Sequence, residues 1–374
     1  MYRSLAADSS WQLKVFFASS TGLQKQWDPN FGLELKWEGI TLEFPHTFMN
    51  DKRALPSGPK IDAPELEARL DEYTPDVLIV YGYAQKLQRR AIRWARVNAR
   101  TILMISDSET RHAESAVKRV LKRAVLPLVY RQVRAFLAVG DANEDYYLRY
   151  GANAQQLYRC PFPIDTDYYE PFFRRKLEAR RECRRALGIA PESFVCLTVG
   201  KLVPWKRQAD LISAVGVLQE QGREAVALVA GSGADATRLH EAARRLRPDA
   251  VIFAGFVQPN ELPPLYAAAD VYVHASSYEP HSLAVSEAVY MGCPVIVSDA
   301  CGSYGPSDDV RPGCNGFIYP CGDAHALAER VWRLASDAAL ARSFGEASRL
   351  HAVAAQDLAH GRGLRIALTD MGFL

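Results

Sequence analysis

Short apolar runs recur through the C-terminal half of this chain: FVCLTVG (194–200), AVALVAG (225–231), AVIFAGF (250–256), DVYVHAS (270–276) and PVIVSD (294–299). Between them, RQADLISAVGVLQEQ, ATRLHEAARRL, ELPPLYAAA and HSLAVSEAVYM bring apolar residues back every three or four positions. The first pattern predicts strands that are apolar on both faces, and the second predicts helices. Their alternation implies a parallel sheet covered on both sides, a doubly wound Rossmann-like domain. Sheets of that kind bind ligands beyond the carboxyl ends of their strands.

The N-terminal half alternates as well, with LKVFFAS (13–19), DVLIVYG (76–82), TILMIS (101–106) and AFLAVG (135–140) as its strands. The stretch between Pro161 and Pro191 mixes aromatics, prolines and a basic helix, and reads as a connection. A boundary near Gly188 would give an N-terminal domain over 1–187 and a C-terminal one over 188–374. The opening MYRSLAADSS reads as the end of a helix. A doubly wound domain ordinarily opens on a strand, so the first strand is expected to be missing, or the start to be divergent.

Candidate chemistry concentrates in three segments. In HASSYEPHSLAVSEAVYMGCPVIVSD (274–299), a strand leads through a short loop into a helix, with Pro280 suited to the first helical position and Gly292 to the residue past its end. Glu279 and Glu287 stand eight residues apart, about 12 Å along a helix axis. That is close to the span from sugar to ribose in a nucleotide-diphosphate sugar. Between them, the amides of Ser282, Leu283 and Ala284 are free to hold phosphate oxygens. Carboxylates flanking an anion site must bind hydroxyls instead, and sugar and ribose supply them. In VGKLVPWKRQADLISAV (199–215), Lys201 and Lys206 follow Gly200 at a strand's end, where two ammonium groups would neutralise a diphosphate. In AGSGADATRL (230–239), Gly231 begins a G-S-G that permits close backbone approach, although a tight turn explains it equally well.

In order and spacing, V-G-K-L-x-x-x-K-R, A-G-x-G, F-A-G-F-V-x-x-x-x-L-x-x-x-Y-x-x-A-D and E-P-H-S-L-x-x-x-E-A-x-x-x-G-x-P-V-I-x-S-D resemble the retaining GT-B glycosyltransferases with a Glu-x7-Glu motif, over about 194–320 and including N-G-F-I-Y-P at 315–320. The resemblance implies two Rossmann-like domains with a cleft between them and no cofactor or metal beyond the sugar donor. It implies that Lys201 and Lys206 bind the diphosphate, Glu279 the sugar, Glu287 the ribose, and the backbone at Phe256 and Val257 the base. The usual E-P-F-G is E-P-H-S here, which puts His281 and Ser282 at positions touching the sugar or its phosphate. The N-terminal half is similar more loosely, through SDSETR (106–111) and G-D-A-N-x-D-Y-Y-x-x-Y-G (140–151), to members that assemble bacterial polysaccharides. Asp107, just past a strand's end, is a guess for an acceptor-side group, with a helix cap as the alternative. A nucleotide-sugar 2-epimerase or a non-catalytic nucleotide-sugar binder would share this architecture.

Charge adds one feature to this picture. The whole chain is nearly balanced, at +2. Residues 86–134, however, hold 13 Lys and Arg against 3 Asp and Glu, interleaved with Leu, Ile, Val and Trp94. Basic and apolar residues at helical spacing suit the surface of an anionic membrane. Two solvated helix faces would read the same way, and no nucleic-acid motif accompanies the charge. The seven cysteines form no C-x-x-C pair, which is expected of reduced thiols in a cytoplasmic protein, peripheral on the inner face of the membrane if the basic stretch docks there. The D-T-D at 165–167 resembles a metal clamp but lies in the connection and is read as linker. The acceptor expected is a glycan, a lipid-linked sugar or a small molecule, and the donor a UDP- or GDP-linked sugar.

Overall fold

The computed structural model describes residues 2–20, 23, 25–36, 42–50, 58–112 and 115–374. In chain order the first strands are β1 (Val15–Phe17), β2 (Gln26–Asp28), β3 (Leu33–Leu35), β4 (His46–Phe48), β5 (Val77–Tyr81), β6 (Thr101–Ser106), β7 (Ala135–Ala138) and β8 (Leu157–Arg159). There follow β9 (Val195–Val199), β10 (Val226–Ala230), β11 (Val251–Gly255), β12 (Val271–His274), β13 (Val295–Ser298) and β14 (Gly316–Tyr319). The helices are α1 (Tyr2–Ala6), α2 (Leu66–Tyr73), α3 (Lys86–Val97), α4 (Ala116–Tyr130), α5 (Asp141–Arg149), α6 (Thr166–Arg174) and α7 (Lys176–Ala186). After them come α8 (Gln208–Glu220), α9 (Ala236–Ala243), α10 (Pro263–Ala268), α11 (Leu283–Tyr290), α12 (Ala324–Ser336), α13 (Ala338–Asp357) and α14 (Gly363–Asp370).

The chain forms two compact units, and both are discontinuous. One comprises Met1–Gln24, Ile40–Pro163 and Asp357–Leu374; the other comprises Lys25–Gly39 and Ile164–Gln356. In the first, β5–β8 make a parallel sheet in sequential order, and β1 pairs in parallel with β4. The last helix returns to this unit, where Leu364, Ala367 and Leu368 of α14 are buried with Leu103, Leu137 and Cys160.

In the second unit all six strands from β9 to β14 are parallel, in the order β11-β10-β9-β12-β13-β14. One face of this sheet is sealed by α8, whose Leu211, Ala214, Val215 and Leu218 meet Cys196 and Ala227. The other is sealed by α11, whose Val285, Ala288 and Val289 meet Leu197 and Val295. Each such aliphatic side chain contributes about 1.5–3 kcal/mol on leaving water, which is why runs apolar on both faces become interior strands. The order reverses between β9 and β12, and the carboxyl ends of those strands flank the crevice where such sheets hold ligands.

The domain boundary differs from the expectation at Gly188. Helices α6 and α7 belong to the second unit, because Tyr169 and Ala179 enter its core. Arg184, with its side chain 3 % exposed, donates to Asp270 Oδ2 at 2.7 Å and to the Ala268 carbonyl. A run that is basic by composition is thus tied down by one partly buried carboxylate distant in sequence. Asp165 accepts from the Tyr168 amide as the N-cap of α6, so the D-T-D begins a helix.

Candidate active site

Both expected lysines stand beyond the end of β9. Lys201 follows Gly200 directly, and Lys206 closes a single 3-10 turn (Pro204–Lys206) ahead of α8. Lys206 Nζ pairs with Glu279 Oε2, which also lies 2.9 Å from His274 Nε2. His274 ends β12 and is buried. Its Nδ1 meets the Tyr272 hydroxyl at 3.2 Å, and its Nε2 also meets Ser276 Oγ at 3.1 Å. Burial by itself would raise the Glu279 pKa, but His274 and Lys206 outweigh it and hold the carboxyl at about 2. Burial keeps the pKa of His274 below the usual imidazole value. The cluster therefore presents a fixed carboxylate clamped by an ammonium and an imidazole.

The Glu-x7-Glu segment is not one continuous helix. Helix α11 begins at Leu283, with Ser282 as its N-cap residue. Pro280 lies before the helix, and Glu279 makes an isolated parallel bridge with Cys301. The 12 Å estimate along a helix axis therefore does not apply, since residues 279–282 are not helical. The Ser282 amide is not free either: it donates to Ser303 Oγ at 2.8 Å. Leu283 and Ala284 occupy the first turn, whose amides have no helical partner. Glu287, one turn on, accepts from the Tyr266 hydroxyl at 2.6 Å, and burial raises its pKa to about 7.

The G-S-G after β10 is required by its packing. At Gly231 a Cβ would fall 1.9 Å from the Gly200 carbonyl oxygen, and at Gly233 2.4 Å from that of Leu202. The turn thus presses against the loop that carries Lys201. Phe256 and Val257 follow β11 at the same end of the sheet, half-buried. His281 is buried, with its Nε2 3.7 Å from both Asp308 Oδ1 and Asp309 Oδ2. Burial disfavours its charge, but the two aspartates prevail and lift its pKa above the usual value. His281, Asp308 and Asp309 are the one group among the described residues with the donor set and spacing for a metal ion.

Asp107 follows β6, at a carboxyl end as expected. It is not a cap for α4, since Ser115 fills that role. Asp107 belongs to the first unit, whereas the residues described above all belong to the second. Within 86–134, Ala113 and Glu114 lie outside the described residues, and the two helices differ. On α3, Trp94 is buried and donates to Asp71, while Arg90 pairs with Asp62 and Glu67. Trp94 is therefore core and not a surface anchor. On α4, Val117, Val120, Leu121 and Leu128 are all exposed beside Lys118, Arg119, Lys122 and Arg123. Among the described residues, no helix is long and apolar enough to cross a membrane.

Sequence reasoning did not reach Asp28, Phe31, Asp308 or Asp309, which no motif marks. Tyr266 is the tyrosine of F-A-G-F-V-x-x-x-x-L-x-x-x-Y-x-x-A-D, but nothing in that spacing showed that it would meet Glu287.

Residues 179–351 match the sequence model of the family Glycosyl transferases group 1. The matched stretch lies within the second unit, which is thus similar to the group 1 glycosyltransferases. The chain is 29 % identical over 181 residues to the mannosylfructose-phosphate synthase of Agrobacterium fabrum, covering 46 % of this chain and 39 % of that one. It is 31 % identical over 188 residues to the D-inositol 3-phosphate glycosyltransferase of Streptomyces bingchenggensis, covering 48 % and 41 %. The chain thus spans about two fifths of these relatives' length. The crystal structure of Anabaena HepE in complex with UDP superposes with a TM-score of 0.68 at 20 % identity, over 87 % of this chain and 86 % of that one. The fold is that of the GT-B glycosyltransferases, with parallel α/β sheets as expected.

Proposed function

We propose that this protein transfers a sugar, with retention of anomeric configuration, from a nucleotide-diphosphate sugar to an acceptor hydroxyl. The observation that carries the reading is the cluster of Lys206, Glu279 and His274 at the ends of β9 and β12, with Lys201 five residues away. It is supported by the family match and by the UDP that HepE binds. Lys201, Lys206 and the first turn of α11 take the diphosphate, and Glu279 accepts from sugar hydroxyls. Glu287 accepts from the ribose, and the backbone at Phe256 and Val257 faces the base. His281, whose pKa Asp308 and Asp309 lift despite its burial, puts an ionisable imidazole next to Ser282 where the usual motif has none.

Among these residues none is placed as a nucleophile. The acceptor oxygen attacks the anomeric carbon from the face that the diphosphate leaves. The carbon–oxygen bond to the diphosphate breaks with its electron pair, and a diphosphate oxygen takes the acceptor's proton. The protein's share is stabilisation of the departing charge, mainly by the two lysines. The acceptor is a glycan, a lipid-linked sugar or a small molecule, and the setting is bacterial polysaccharide or glycolipid assembly in the cytoplasm. Helix α4, with its exposed apolar and basic side chains, suits peripheral contact with an anionic membrane.

A thermal-shift screen tests the reading. A ligand that binds only the folded state adds about 2.7 kcal/mol of stability at a hundredfold excess over its Kd. UDP or GDP, and one of the corresponding sugars, should raise the melting temperature. No shift with either nucleotide at millimolar concentration would sink the proposal.

A further inference from the structure

Strands β2 and β3 form an antiparallel hairpin that belongs to the second unit, although its residues precede the rest of that unit by more than 120 positions. It lies on three loops at the carboxyl ends of the sheet. Asp28 Oδ2 accepts from Lys201 Nζ at 2.9 Å, and Lys201 Nζ also lies 4.7 Å from the Phe31 ring centroid. Ser232, inside the G-S-G, donates to the Phe31 carbonyl at 3.1 Å. The Phe31 ring stands edge-on to Phe256 at 5.3 Å. One hairpin therefore touches the diphosphate lysine after β9, the glycine turn after β10 and the base-side residue after β11.

Asp28 is presented rigidly. Its Oδ1 accepts from the amides of Asn30 and Phe31 at 2.8 and 3.1 Å, which closes the turn and leaves Oδ2 aimed at Lys201. Its pKa is held below the ordinary value despite partial burial, with Lys201 and the two amides prevailing. A carboxylate in that position takes the charge that a diphosphate would otherwise take. A bound diphosphate would also sit against Asp28 and be repelled by it, so the two anions exclude one another on Lys201.

We propose that this hairpin is a built-in gate on the donor site, with Asp28 standing in for the donor diphosphate on Lys201 until the nucleotide displaces it. The proposal rests on the assignment of Lys201 as a diphosphate ligand. It adds that the free protein carries its own competitor, and that donor binding opens the hairpin and does not clamp it.

The experiment is calorimetric titration of UDP and GDP into the full-length protein and into Asp28→Asn, which keeps the Oδ1 acceptor and removes the charge. The variant should bind the cognate nucleotide about three- to fivefold tighter, the scale of a partly exposed ion pair. That gain should vanish in a Lys201→Ala background, which isolates the pair. Amide exchange over 26–35 should speed up when the wild-type protein is saturated with nucleotide. Equal or weaker binding by Asp28→Asn, or slower exchange of the hairpin with nucleotide bound, overturns the gate while leaving the donor assignment standing. No binding of either nucleotide by any of these proteins overturns both.

Discussion

The Tyr266 hydroxyl donates to Glu287 Oε2 at 2.6 Å, and desolvation raises the pKa of that carboxyl to about 7. In the role proposed for it, accepting from ribose hydroxyls, this carboxyl is thus half-neutral at physiological pH before the nucleotide arrives. Ribose hydroxyls donate to the ionised form, so binding should pull the proton off.

UDP or GDP affinity should accordingly rise about tenfold between pH 6 and pH 8, following ionisation of a group with a pKa near 7. Glu287→Gln should bind more weakly and lose this dependence. The ionisation of the diphosphate itself is common to both proteins, so calorimetry at three pH values separates the two contributions. A slope identical in wild type and Glu287→Gln would remove Glu287 from the ribose.

The same shift has a consequence for stability. The folded pKa lies above the unfolded one of 4.5. The contribution is therefore fully present below pH 4.5, and it is lost as pH rises through 7. The gap corresponds to about 3 kcal/mol at pH 8. Glu287→Gln should flatten the decline in urea midpoint between pH 5 and pH 8, and an unchanged profile would mean that the carboxyl is not buried in solution.

Lys206 and Glu279 should separate by assay. Lys206→Ala should reduce turnover by roughly 10²-fold, the scale for one charge-stabilising donor. Glu279→Ala should lower transfer and cost no affinity for the free nucleoside diphosphate, because in its proposed role it meets the sugar and its pairing with Lys206 adds no contact to the nucleotide. Near-normal turnover of a folded Lys206→Ala protein, or an equal loss of UDP affinity in Glu279→Ala and Glu287→Ala, contradicts the assignment.

Arg184 should matter to folding and not to chemistry. Replacing it with Ala removes one of two arginines from Asp270, leaves the Ala268 carbonyl with Arg180 Nη1 alone, and strips the Pro191 and Ser193 carbonyls of their guanidinium donor. Breaking a buried pair costs about 3–5 kcal/mol, with the remaining Arg180 placing this case at the lower end. Chemical denaturation should show the loss while the nucleotide Kd of the folded fraction is unchanged.

Helix α4 should bind anionic vesicles. Each basic residue near such a surface contributes about 1 kcal/mol, screened within a Debye length of about 8 Å at physiological salt. Co-sedimentation should increase with anionic lipid and decrease with salt. Leu121→Asp, at a position 61 % exposed, should weaken it without unfolding the protein. No binding at low salt would indicate a soluble acceptor and a solvated helix.

By itself the sequence determined the alternation of strand and helix and the two-sided sheet. It also singled out Lys201, Lys206, Glu279 and Glu287. These follow from local periodicity and from segments of fewer than thirty residues, in which neighbours along the chain are neighbours in space. Tertiary structure decided what joins across long separations. Glu279 meets Lys206 across 73 positions, and Asp28 meets Lys201 across 173. Residues 279–282 leave the helical path because the Glu279 carbonyl accepts from the Gly302 amide and Ser303 Oγ takes the Ser282 amide. Helix α14 returns to the first unit for an apolar surface that no pattern in 363–370 announces. Periodicity shows which face of an element must be buried; only the folded chain supplies the partner that buries it.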